Sequence, residues 1–179
     1  MKALPQKFTW LDSFKSPRIW VEARKHYGLL EITGKESNPN ILVWAKEAGV
    51  SGWYTNDDIP WCGLFVGICV LRAGYEMIGS KLLAALEWSK WGVGIEKGKE
   101  EFSDILVFKR SGGGHVGFYC GENEQAFLVY GGNQSNAVSL AWIKKNRLVA
   151  CRRPGFKNKP ATVKKIMLTD SGAFSENEV

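Results

Sequence analysis

Cysteine and histidine are scarce in this chain: four of the first and two of the second among 179 residues. Cys62, Cys69, Cys120 and Cys151 form no CxxC pair. With His26 and His115 as the only histidines, no cluster has zinc-ligand spacing, so no metal or other cofactor is expected. A disulfide framework is not expected in a chain this long without a secretory signal, so reduced, mostly buried thiols are the reading. No stretch approaches the ~18 apolar residues of a membrane span. Residues 1–10 lack the apolar core of a signal peptide, which predicts synthesis in the cytoplasm and, for any work outside it, delivery by another agent. No nucleic-acid-binding motif is present, and no nucleic-acid partner is expected. A monomer is expected.

What is there fits one domain, since domains run to ~100–200 residues. Hydrophobic residues make up 45% and charged residues 23%, which excludes a disordered chain. The net charge of +6 is unevenly placed. Residues 143–165 carry nine basic side chains and no acid, leaving 15 basic against 18 acidic elsewhere. Such a segment attracts anionic polymers, cell-envelope polymers among them; a solvated basic tail explains it equally well.

The first half reads helical. Ser16-Pro17 and Asn38-Pro39 are helix starts, and the patterns predict helices over 18–29, 41–48, 61–73 and 80–91. Short β-rich runs follow over 104–109, 115–121, 126–132, 137–142 and 147–152, separated by turn residues. Helices first and an antiparallel meander after them predict an α+β domain over 16–154, with an N-terminal arm over 1–15 and a basic C-terminal tail over 155–179.

Cys62 lies where a polar loop, 50–60, meets an apolar helix. Free N–H groups and the helix dipole at that end stabilise a thiolate, so a lowered pKa is expected. Cys69, two turns deeper, and Cys120 and Cys151, inside strand patterns, read as inert. His115 follows Ser111-Gly112-Gly113-Gly114 and opens a strand, an accessible place for a base. His26 reads as a solvated helix histidine. If 115–121 and 126–132 form a hairpin centred near residue 124, His115 faces Asn133; a one-residue slip puts Gly132 opposite instead. Either way Asn133 ends the strand beside the histidine, where it would hold the ring tautomer, although the run Gly131 to Asn136 is also rich in turn formers. Trp53, Tyr54 and Trp61, with Asp57 and Asp58 in the same loop, line a substrate groove or, for the aromatics, simply the core.

Pro60-Trp61-Cys62, Gly74-Tyr75, Asp104-Ile105-Leu106-Val107-Phe108, Gly114-His115-Val116-Gly117-Phe118-Tyr119 and Gly131-Gly132-Asn133-Gln134, in that order, resemble the NlpC/P60 and CHAP superfamily of papain-like cysteine peptidases and amidases. They are most similar to its small phage-lysin subfamily, as are Gly28-Leu29-Leu30-Glu31 and Asn38-Pro39-Asn40-Ile41. The resemblance covers residues 16–154. It implies a papain-like fold and hydrolysis of amide bonds in bacterial peptidoglycan, with Cys62 as nucleophile, His115 as base and Asn133 as orienting group. The Cys62 backbone N–H would contribute to the oxyanion hole, joined by a side chain from 56–58. The scissile bond stays open between N-acetylmuramoyl-L-alanine amidase and stem-peptide endopeptidase. Delivery to the wall would follow holin-type release or carriage by a delivery machine or virion. Two departures stand out: Ser103 where the family usually has Gly before Asp104, and Gly63 where it often has Ser or Ala. The other readings are a cysteine protease or deamidase acting on proteins, and a non-catalytic wall- or virion-binding module of the same fold.

Overall fold

The structure, a computed structural model, describes residues 2–34, 36–169 and 172–175. Three α-helices, α1 (Arg18–Arg24), α2 (Pro39–Glu47) and α3 (Cys62–Arg72), precede six strands. These are β1 (Val93–Ile95), β2 (Ile105–Arg110), β3 (Gly113–Glu122), β4 (Ala126–Gly131), β5 (Ser139–Lys144) and β6 (Leu148–Arg153). They form one antiparallel sheet in the order β1-β6-β2-β3-β4-β5. The α+β class is as expected.

The helices start for legible reasons. Asn38 caps α2, its Oδ1 accepting from Asn40 N at 2.9 Å, with Pro39 in the first turn. α1 stops five residues short of its expected end, because the chain turns through Gly28 at φ +74°. α3 is buried almost along its whole length. Each large apolar side chain it buries, Phe65 and Ile68 among them, contributes about 1.5–3 kcal/mol. The helix expected over 80–91 is two 3-10 turns, Gly79–Leu83 and Ala85–Lys90, with Ala84 extended between them. The Leu82 carbonyl, which a continuous α-helix would give to the amide of residue 86, instead accepts the Trp88 indole N–H at 2.9 Å. That carbonyl also explains Gly63, where a Cβ would sit 2.2 Å from it.

The meander holds for β2 to β5. β6 then crosses back to the free edge of β2 and brings β1, a three-residue strand without alternation, in beside it. β2 is buried on both faces from Ile105 to Phe108, which suits a strand with neighbours on both edges. One face of the sheet packs on the helices through Val107, Val116, Phe118 and Tyr130. The other gathers Leu106, Phe108, Tyr119, Phe127 and Val129.

That second face explains the C-terminal segment. Residues 162–168 are not a loose tail: Phe102 N donates to Lys164 O, Glu122 N to Ile166 O and Leu168 N to Glu122 O, at 2.8–3.0 Å. Val163 is buried. Four of the nine basic side chains over 143–165 are paired with acids within the fold. Lys145 and Lys165 meet the buried Glu122 carboxylate. Arg153 pairs with Asp104 and Glu101, and Lys159 with Glu101. Arg147 and Arg152 hold backbone carbonyls. The N-terminal arm is packed too, with Leu4, Phe8 and Leu11 buried and Asp12 paired to Arg24. Positions 170–171 and 176–179 of the expected tail lie outside the described residues. Among the described residues no helix is long and apolar enough to cross a membrane.

Candidate active site

Cys62 opens α3 and is only 3% exposed. Burial pushes its thiol above the ordinary value; the backbone N–H of Val116, the Arg110 charge and the N–H groups of Gly63 and Cys62 itself oppose this without overcoming it. The expected helix-terminus effect is therefore present, but the net direction is upward, because almost no water reaches the sulfur. Cys69 and Cys120 are pushed well up by burial, and Cys151 gives its S–H to Asp104 at 3.3 Å.

The Val116 amide that reaches Cys62 belongs to the residue after His115, so β3 carries the histidine alongside the start of α3. His115 is 1% exposed rather than open at a strand mouth, as the sequence suggested. Its Nε2 lies 3.1 Å from Gln134 Oε1. The Gln134 amide nitrogen donates to Ser139 O at 2.7 Å and to Val129 O at 3.4 Å. Only an NH2 group satisfies two carbonyls, so Oε1 must face the imidazole. An acceptor there makes His115 Nε2 the protonated nitrogen and leaves Nδ1 as the basic one.

Gln134, not Asn133, thus holds His115. The hairpin register is the expected one, with Phe118 opposite Tyr130 and Tyr119 opposite Val129, before a bulge at Cys120. Extrapolating it to Asn133 fails because β4 ends at Gly131 and Asn133 turns to φ +56°. Asn133 is buried with its Oδ1 unpartnered, and Gln134 swings into the position facing the ring. Both neighbouring glycines are forced. A Cβ on Gly131 would lie 2.9 Å from Gln134 Oε1 and 3.3 Å from His115 Nε2. One on Gly132 would lie 2.7 Å from the Trp61 ring. Gln134 closes the quoted Gly131-Gly132-Asn133-Gln134 motif; the turn-forming Asn133 was the signal that the strand ends too early for a linear register.

The loop residues separate. Trp53 is 78% exposed, and Asp58 is also exposed. Trp61 is fully buried, its indole N–H on Glu31 Oε2 at 3.0 Å, so it is core and not a groove wall. Asp57 is buried as a brace, Oδ2 accepting from Ile32 N and Asn38 N at 3.0 and 2.8 Å. Tyr54 is buried with its hydroxyl unpartnered, and burial, with Asp57 nearby, pushes that phenol up. His26 packs edge-on to Trp44 with Arg72 beside it, held by α1 and its following turn, and takes no part in this cluster. A cleft of about 630 Å³ lies beside Glu31, Leu30 and Ile32. Another of about 490 Å³ runs past Gln134 and Trp142. Among the described residues no group of three His, Cys, Asp or Glu is placed to hold a metal ion.

No protein-family model matches this chain, and no curated protein matches it.

Proposed function

We propose that this protein is a cysteine hydrolase that cleaves amide bonds of peptidoglycan stem peptides through a thioester acyl-enzyme, with Cys62 as nucleophile, His115 as general base and acid, and Gln134 as the orienting group. The observation that carries the chemistry is the His115–Gln134 hydrogen bond, whose direction leaves Nδ1 basic on a strand that also contacts the Cys62 sulfur. The substrate class rests on the ordered motifs that resemble wall hydrolases.

The buried thiol rests protonated. As the sulfur attacks the carbonyl carbon, His115 Nδ1 takes its proton, and the imidazolium is stabilised by Nε2–H on Gln134. Backbone N–H groups at the start of α3 stabilise the oxyanion, and the unpartnered Tyr54 hydroxyl is an available donor in the same region. The imidazolium then protonates the leaving nitrogen as the C–N bond breaks, leaving the thioester. Water, deprotonated by His115, attacks the thioester, and the thiol leaves with the proton.

The test is mass spectrometry of soluble fragments released from purified sacculi by wild type and by Cys62→Ala. Cysteine-dependent release of whole stem peptides is the amidase outcome, and release of split stems the endopeptidase outcome. No release by the wild type sinks the wall-hydrolase assignment and turns attention to a protein substrate or a binding module.

A further inference from the structure

Gly28 to Glu31 stands apart from the catalytic cluster, yet the fold ties it to both halves of that cluster. On one side it runs against the loop that carries Gln134. Gly28 N donates to Val138 O, Val138 N to Leu29 O, and Glu31 N to Asn136 O, at 2.8–2.9 Å. Leu30 pairs with Ala137, and Gln134 N in turn donates to Ala137 O at 3.0 Å. On the other side the Glu31 carboxylate accepts the Trp61 indole N–H at 3.0 Å, and Trp61 is the residue before Cys62. The far edge of the same indole lies against Gly132, where a Cβ would sit 2.7 Å from the ring. Trp61 is therefore a spacer between the nucleophile's helix and the loop that orients His115, and Glu31 holds the spacer in place.

We propose that Glu31 is a positioning residue which, through Trp61, sets the separation between Cys62 and the Gly132–Gln134 loop. This rests on the reading of Cys62 and His115 as a reacting pair. Misplacing reacting groups by about 1 Å costs on the order of 100-fold in rate, so a loosened spacer is read in turnover rather than in substrate affinity.

The experiment follows Cys62 alkylation by iodoacetamide against pH, located by peptide mapping, together with kcat and KM on sacculi and thermal unfolding. The variants are Glu31→Ala, Glu31→Gln, which keeps an acceptor for the indole, and Trp61→Phe, which removes the N–H. Glu31→Ala is expected to lower kcat about tenfold with KM nearly unchanged and to alter the alkylation pH profile, as small misplacement does. Glu31→Gln restores both, and Trp61→Phe reproduces the loss, so the proposal stays testable if Glu31→Ala fails to fold. A wild-type alkylation profile in Glu31→Ala overturns the proposal, and so does an equal defect in Glu31→Ala and Glu31→Gln. If wild type leaves sacculi intact, the substrate assignment fails by itself, and the alkylation profiles alone decide for or against Glu31.

Discussion

Gln134 accepts the His115 Nε2 hydrogen bond at 3.1 Å while its own amide nitrogen is pinned by the carbonyls of Ser139 and Val129. A carboxamide held at both ends cannot flip, so it fixes the imidazole tautomer as well as the ring's direction. The neighbouring Asn133, equally buried, offers the ring no acceptor, because its Oδ1 has no hydrogen-bond partner.

Replacing Gln134 with Leu is expected to lower kcat on sacculi by about 100-fold, the lower range of what a correctly placed general base supplies. Asn133→Gly keeps the left-handed backbone and removes a side chain whose Oδ1 has no partner, so activity stays within about twofold of wild type. Steady-state kinetics on the pair decides between them; the reverse ranking removes Gln134 from the site.

Cys62 alkylation rate should climb with pH and continue to climb past pH 9, since burial holds the thiol above its ordinary value. A plateau already reached below pH 7 would mean a preformed thiolate. The same direction at Cys69 and Cys120 gives a linkage. Unfolded thiols lose protons near pH 8.5–9 while the folded ones keep them. Stability present below that range is therefore lost progressively as pH rises above it, until the folded thiols titrate, measurable by urea denaturation.

Ser103 sits at φ +67° with its hydroxyl buried and unpartnered. Ser103→Gly removes both costs at the expense of a more flexible unfolded chain, for a net gain of about 1 kcal/mol. At this chain length that is a rise of about 2–4 °C in Tm. A fall in Tm would show that the serine side chain does something its contacts do not reveal.

His26 is pushed down to about 4, first by burial and then by the Arg72 charge. An unfolded histidine takes up its proton near pH 6.5, so between pH 6.5 and 4 the unfolded state binds more protons. Stability is expected to fall as pH drops through that window. In His26→Gln the window's contribution disappears, and the acid limb of a denaturation series flattens there.

Removing everything after Pro154 takes Lys165 from Glu122, removes the buried Val163 and frees Phe102 N and Glu122 N. The loss should be at least about 3 kcal/mol, from one buried aliphatic side chain and the uncompensated polar groups. Calorimetry that finds an unchanged Tm would return these residues to the status of a tail.

The α+β class, the helix starts at Asn38 and near Pro17, and the hairpin register that carries His115 are all legible in the amino-acid order. These depend on local chemistry: proline and asparagine at helix ends, alternating apolar residues, a polar turn between two strands. That order also singles out Cys62, because a polar loop running into an apolar helix is a local signal. Tertiary structure alone decided the rest. β6 crosses to the edge of β2 because a strand buried on both faces needs two neighbours, which no local pattern encodes. Residues 164–168 run along the sheet, where Ile166 covers part of the apolar face that Tyr119 and Phe127 leave. Tyr54, Asp57 and Trp61 turn inward, where loop residues of the same composition could have faced water. The residue on His115 is Gln134 because Asn133 turns left-handed one step before the register would have delivered it, against glycines too small to hold the chain away.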